Sequence, residues 1–259
     1  MLKKIIAAAG VAVLLPASSF AYWGISVKGG ITPVNYNDID NKMNYRASIG
    51  DITDSAKTSR TNYYTGLGLF LEGNSTNRAG FSIGYSEVPS TRRAVTVFSH
   101  GTFPKVSRGD SISSNAIALP VTLYYKHKAE DSGIASWLGV GADYMKATTC
   151  IWTGDGYTQT AGNGLDYTQN KIVPHADAGI EVYIFKRISL GISAEYLLGG
   201  KFDKLKANDG SELYTVPHTV GAEIVPAASK PAGASNYAQD YSGLRGELAL
   251  RVYFGGPSK

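Results

Sequence analysis

The sequence predicts an all-β fold, an eight-stranded antiparallel up-and-down β-barrel that spans a membrane. Three observations predict it. Eight segments alternate apolar and polar residues with period two, no segment has the helical period needed to cover their apolar faces, and the connections between them alternate short and long. The last segment, Tyr241 to Phe254, shows the alternation most clearly. Leu244, Gly246, Leu248, Leu250, Val252 and Phe254 share one face, and Arg245, Glu247, Arg251 and Tyr253 share the other.

The chain opens on an export signal. Lys3 and Lys4 form a positive start, Ile5 to Leu15 an apolar run, and Ser19-Phe20-Ala21 a small-x-small cleavage site. Residues 1–21 are expected to be a cleaved secretory signal peptide and residues 22–259 the barrel domain. An apolar run of about eleven residues is too short for a membrane anchor, which needs roughly 20. Without Lys3 and Lys4 the 25 basic residues become 23, set against 21 acidic ones. A chain so near neutrality, with no basic run, offers nothing to nucleic acid. Cys150 is the only cysteine, so no internal disulfide forms, and an inert loop thiol is expected there. Thirty glycines and 17 tyrosines suit tight turns, close strand packing and interfacial girdles.

The predicted strands are Tyr22 to Val34, Thr61 to Glu72, Ala79 to Val88, Ile112 to Lys126, Ile134 to Ala147, Lys171 to Phe185, Ile188 to Gly200, and Tyr241 to Phe254. Most exceed the roughly 9 to 11 residues that a tilted strand needs to cross a bilayer. Glu72 to Ala79, His127 to Gly133 and Lys186-Arg187 read as short periplasmic turns. Residues 35–60, 89–111, 148–170 and 201–240 read as four long extracellular loops, which leaves both termini in the periplasm. Arg92 to His100 is able to extend the third strand, and Leu213 to Val225 to add a hairpin for a ten-strand count, although Pro217 opposes a membrane-spanning pair there.

A soluble lipocalin-like barrel shares the strand count but buries its apolar faces. The opposite face of these strands is small and charged, as with Ser189, Gly191, Ser193 and Glu195 against Leu190, Ile192 and Ala194, which places lipid on the apolar side. An eight-stranded barrel is only just wide enough inside for side chains to fill it. Parity directs Lys28, Glu72, Lys126, Asp143, His175, Asp177, Glu181, Glu195, Arg245, Glu247 and Arg251 into this space, where charges must pair. Lys28, Glu195, Arg245 and Glu247 fall near mid-height on neighbouring strands, so one mid-barrel ion cluster is expected, with Glu181 and Arg251 among its members. It acts either as a gate or, more simply, as a polar core that holds the barrel in register.

Catalysis is not expected. Of four histidines only His175 lies in a strand with an acid, Asp177, on the same face; Ser189 and Ser193 face inward nearby without a clear triad. No metal centre is expected, because the histidines lack ligand spacing, and no cofactor. Asp203, Asn208 and Asp209 would hold at most a weak surface ion. Tyr22, Trp23, Tyr124, Tyr125, Tyr253 and Phe254 suit a periplasmic aromatic girdle, and Tyr63, Tyr64, Tyr144, Tyr196 and Tyr241 an outer one.

In this architecture the chain resembles the small eight-stranded outer-membrane proteins of Gram-negative cells, the group of the OmpA transmembrane domain, OmpX and OmpW. The closing strand, through Gly246, Leu248, Leu250, Val252 and Phe254, is similar to the C-terminal signal read by the barrel assembly machinery, although Gly255 to Lys259 follow it. The resemblance implies a cell outer membrane location, contact with lipid and lipopolysaccharide, and a monomer. It further implies surface interaction through the loops, with a host or cell-surface ligand, around a plugged polar lumen. A narrow channel or a route for small hydrophobic molecules is the alternative it implies, with Pro120 and Pro174 as sites for a gap in the wall, and a lipid A-modifying enzyme a third.

Overall fold

The computed structural model describes residues 20–35, 37–41, 51–52, 61–73, 77–98, 107–128, 133–155 and 165–255. The barrel strands are β1 (Phe20–Pro33), β2 (Thr61–Gly73), β3 (Asn77–Phe98), β4 (Ser107–Lys128), β5 (Ile134–Asp155), β6 (Leu165–Phe185), β7 (Ile188–Leu197) and β8 (Gly243–Gly255). Each pairs antiparallel with its sequence neighbours, and β8 closes on β1 through a continuous register from Tyr22↔Gly255 to Ile31↔Gly246. Closure removes both sheet edges, so every strand finds partners on two sides. Most of the expected signal segment and the tail after Gly255 lie outside the described residues; Phe20 and Ala21 already belong to β1, whose regular pairing with β2 starts at Tyr22.

Period-two alternation settles inside from outside. Leu138, Ile192, Leu244 and Leu248 are each more than 60% exposed, while Glu72, Lys126 and Glu181 are fully buried. Water cannot account for that inversion, since a soluble barrel would reverse it. The exposed apolar side chains form the band that lipid covers.

β3 to β6 run 21–22 residues, well past the predicted ends of their strands. At about 3.3 Å per residue such a strand reaches roughly 70 Å, so much of the connections expected at 89–111 and 148–170 is paired ribbon rising above the bilayer. Alternating, β-prone residues such as Ile112 to Ile117 opposite Lys146 to Ile151 continue the ladder once it has formed. The extension of the third strand towards His100 is confirmed as far as Phe98, with a register shift between Val88 and Thr91. At the other end, Lys186 and Arg187 make a two-residue turn, capped by Tyr253 N–H donating to the Arg187 carbonyl at 2.8 Å.

The last connection departs most from expectation. β7 stops at Leu197 and β8 starts at Gly243, because Gly199 (φ 74°) and Gly243 (φ 122°) take backbone angles that L side chains rarely adopt. Between them the chain folds into a hairpin, Glu212–Pro217 with Ala222–Ala227, flanked by Ser235–Asn236. This hairpin stays out of the barrel wall, so the count is eight and not ten. The connection as a whole carries Leu205, Leu213, Ile224, Tyr237 and Tyr241 into one buried cluster with Ile112, Met145, Tyr167, Val34 and Ile39. The loop is therefore a folded cap on the barrel mouth.

Candidate functional site

Two charge clusters fill the lumen, one near each end. At the turn end, Lys126 Nζ lies 2.6 Å from Glu72 Oε1 and 2.7 Å from Glu181 Oε2, with all three side chains fully buried. Arg78 reaches Glu72 at 3.2 Å and Arg251 reaches Glu181 at 3.1 Å. Tyr124 donates to Glu72 at 2.9 Å, and both Ser189 and Tyr253 donate to Glu181. Arg251 also stacks over the Trp137 ring, 5.3 Å from its centroid. Two carboxylates thus face three cations and at least three hydroxyls, a network in which nearly every charge is hydrogen-bonded.

The second cluster lies nearer the loop end. Lys28 pairs with Glu247 at 3.1 Å, and Tyr64 donates to the same carboxylate at 2.9 Å. Arg245 lies 3.5 Å from Asp143 and 3.9 Å from Glu195, donates through Nε to Thr32 Oγ1 at 3.0 Å, and sits over the Tyr64 ring. His175 Nδ1 is 2.8 Å from Asp143 and 3.7 Å from Glu195, and its Nε2 is 3.0 Å from Thr122 Oγ1. A polar cavity of about 50 Å³ separates the two clusters, lined by Ser26, Lys28, Asp177, Glu195, Glu247 and Arg251 among others.

All eleven residues that parity directs into the lumen lie there, but not as one cluster. Lys28, Glu195, Arg245 and Glu247 come together as expected. Glu181 and Arg251 join the turn-end group instead, because the strands tilt and stagger around a closed barrel, so residues at equal counts from their strand ends sit at different heights. Asp177 faces the cavity, yet the acid nearest His175 is Asp143 on the adjacent strand. Ser189 donates to Glu181 and Ser193 to Glu247, so their hydroxyls are turned towards acids.

Several girdle residues prove to be interior. Tyr64, Tyr124, Tyr241 and Tyr253 are buried, and the Tyr22 ring lies under Arg78. Parity already sent Tyr253 inward with Arg251, and a side chain cannot serve both faces. The outer wall keeps Trp23 stacked on Phe254 at 4.6 Å, with Tyr125 also exposed near the turn end and Tyr63 and Tyr196 near the loop end.

Above the second cluster the cap closes the mouth. Gln239, fully buried, faces Ser114 Oγ at 2.7 Å, Thr149 Oγ1 and Tyr237 OH, and its carbonyl accepts from Tyr241 at 3.1 Å. Asp38, on the short helix Asn37–Asn41, accepts from the Ala238 N–H at 2.8 Å and ties the first connection to the cap. Burial holds the Asp38 carboxyl above its ordinary value. Asp203, Asn208 and Asp209 show ordinary loop chemistry: Asp209 accepts from Ser211 N–H and Oγ, which keeps it below the usual carboxylate range. His127 pairs with Asn77, and His218 lies 3.8 Å from Glu223, while His100 is outside the described residues.

The ladder between β3 and β4 breaks at Pro120, in addition to its register shift between Val88 and Thr91. Pairing runs to Ile83↔Val121 and resumes at Ser86↔Ala118, skipping Gly84, Tyr85, Leu119 and Pro120. Proline has no N–H to give, which accounts for the break. Pro174 causes none: Ala142↔Pro174 keeps register, and the Pro174 carbonyl accepts from Leu198 N–H.

No protein-family model matches the chain, and no curated protein matches its sequence. Among solved structures it is similar to the outer membrane protein OprG from Pseudomonas aeruginosa, at 12% identity over 92% of this chain and 98% of that one, with a TM-score of 0.43. A major outer membrane protein from Thermus thermophilus is similar at 10% identity over 90% and 99%, TM-score 0.42. Ail, the attachment invasion locus protein of Yersinia pestis, solved in complex with the heparin analogue sucrose octasulfate, is similar at 12% identity over 90% and 98%, TM-score 0.36. By its own geometry, a closed antiparallel register around a charged interior with an apolar band outside, the chain is a β-barrel of the outer-membrane type.

Proposed function

We propose that the protein is a plugged outer-membrane barrel that works at the cell surface through its outer connections, as a structural and interaction protein. The observation that carries this reading is double closure: ion clusters fill the lumen and a folded cap seals its mouth. A barrel built to conduct would keep a continuous wet path, whereas the cavity here is closed above and below by buried ion pairs. The inner face of the cap is core, and its outer face presents polar residues such as Lys204, Asn208, Asp209, His218 and Lys230. Cleavage of the signal after Ala21 and insertion by the barrel assembly machinery complete the reading. Exposed Lys146, Lys204 and Lys206 near the mouth supply cations for lipopolysaccharide phosphates. The test is conductance of the folded protein in a planar bilayer. Silence is expected, and stable unitary currents from the unmodified barrel would refute a plugged scaffold. Residues 201–240 grafted onto an unrelated barrel should carry surface binding with them.

A route for small hydrophobic molecules has one observation in its favour. The interrupted ladder at Pro120 borders the lumen cavity, whose lining includes Ile83, Gly84 and Pro120. Uptake that disappears in Pro120→Val would favour that route, and uptake equal to a barrel-free vesicle would end it.

A further inference from the structure

Asp143 on β5, His175 on β6 and Glu195 on β7 form a diagonal row inside the lumen. One oxygen or nitrogen from each lies within 4.8 Å of the other two. Asp143 Oδ1, His175 Nδ1 and Glu195 Oε1 are also among the buried atoms without a hydrogen-bond partner. Nδ1 and Oδ1 are 2.8 Å apart, yet misaligned for a hydrogen bond. In the tautomer in which Nε2–H donates to Thr122 Oγ1, 3.0 Å away, Nδ1 bears a lone pair and faces a carboxylate oxygen, which is also an acceptor. Two acceptors at that distance repel, and a metal ion beside them relieves the repulsion.

The charge count agrees. Asp143, Asp177, Glu195 and Glu247 lie in this part of the lumen with Lys28 and Arg245, while Arg251, across the cavity, is paired with Glu181, so carboxylates outnumber the cations beside them. A divalent ion offsets that local imbalance. Arg245 approaches Asp143 through Oδ2 at 3.5 Å and so leaves Oδ1 to the row, and it reaches Glu195 Oε1 only at 3.9 Å. Ligand atoms around a tetrahedral ion with bonds of about 2.0–2.1 Å sit roughly 3.3 Å apart, close to the present 2.8 and 3.7 Å. The Thr122 contact fixes the ring as the outer partner of a metal-bound imidazole does. An imidazole in the set excludes calcium and magnesium as the preferred ion.

We propose that Asp143, His175 and Glu195 bind one first-row divalent transition-metal ion, of the zinc class, inside the lumen, clasping β5, β6 and β7. Water from the adjoining cavity supplies the fourth ligand.

The experiment uses the untagged, folded full barrel, stripped with chelator and titrated with cobalt(II) and zinc(II). One equivalent of cobalt(II) should bind with the intense visible bands of a tetrahedral site, and one equivalent of zinc(II) should displace it. His175→Ala and Glu195→Gln should each weaken binding more than a hundredfold, and Thr122→Val by about 10–100-fold, as loss of an outer partner does. Each variant is first shown to be folded by its heat-modifiable gel migration. No saturable binding to the folded wild type would overturn the proposal, as would binding that survives His175→Ala, which would place the ion at His127 or His218. A metal-free wild type whose His175 carries protons on both nitrogens by ¹⁵N resonance would also overturn it, since a proton would then be the missing cation.

Discussion

The turn-end cluster makes a prediction about order, not only size. Glu181 accepts from Lys126 at 2.7 Å, from Arg251 at 3.1 Å, and from Ser189 and Tyr253. Glu181→Gln keeps the shape and removes the charge, leaving Glu72 alone against Lys126, Arg78 and Arg251. Breaking a buried pair from one side costs about 3–5 kcal/mol, and no solvent reaches this carboxylate to relieve it. Lys126→Met takes away the more central cation, yet leaves Glu72 with Arg78 and Glu181 with Arg251 in balanced pairs. Its cost should be about 1–3 kcal/mol, mainly the hydrogen bonds lost. The double variant restores the original charge difference and should be more stable than Glu181→Gln alone, with a coupling of about 1–3 kcal/mol. Urea unfolding in lipid vesicles, followed by fluorescence of Trp23, Trp137 and Trp152, reads all three. A Glu181→Gln cost below about 1 kcal/mol, or a Lys126→Met cost exceeding it, would show that charge balance does not govern this lumen.

Other outcomes follow from the cap. Gln239→Leu keeps the bulk but leaves Ser114, Thr149 and Tyr241 without their amide partner, so cap stability should fall by about 1–3 kcal/mol and protease cleavage within residues 201–240 should quicken. Unchanged cleavage would mean the cap is held by its apolar cluster alone. Because burial raises the Asp38 carboxyl, the folded state binds its proton more tightly than the unfolded chain does. Its contribution is therefore most favourable in acid and declines as pH rises from the ordinary aspartate value through the raised one. Hydrogen-exchange protection of the Ala238 amide should decline over that window in the wild type and stay flat in Asp38→Asn, which retains an acceptor. Protection that grows with pH in the wild type would reverse the sign of this reasoning.

What the sequence disclosed and what it withheld divide along a physical line. Alternation has a period of two residues, so parity alone sends Lys28, Glu181, Glu195, Arg245 and Glu247 inward, and the structure agrees. Tyr124 and Tyr253 share the parity of Lys126 and Arg251 and are buried, so at these positions parity and not aromatic character decides the face. The cap was unreadable for a different reason. Gln239 meets Ser114 and Thr149 across separations of 125 and 90 residues, and no local pattern marks such contacts.

Height along the barrel is a third kind of information, and it decides the proposed metal row. Counting outward from the tight turn at Lys186-Arg187 would set Asp177 opposite Tyr196, a lumen residue beside a lipid-facing one. The register shift between Tyr183 and Phe185 absorbs one residue and sets Asp177 opposite Glu195, which returns both to the lumen. His175 then lies one lumen position nearer the mouth, diagonal to Glu195. Asp143 reaches the same level only through the β5–β6 register, Asp143↔Val173, which a long connection at the mouth leaves free in the sequence. Ligands 32 and 20 residues apart therefore show none of the short spacing by which metal sites on helices or knuckles are found. In a closed barrel, neighbouring side chains are set by register between strands, so a search for sites must follow paired residues around the wall rather than intervals along the chain.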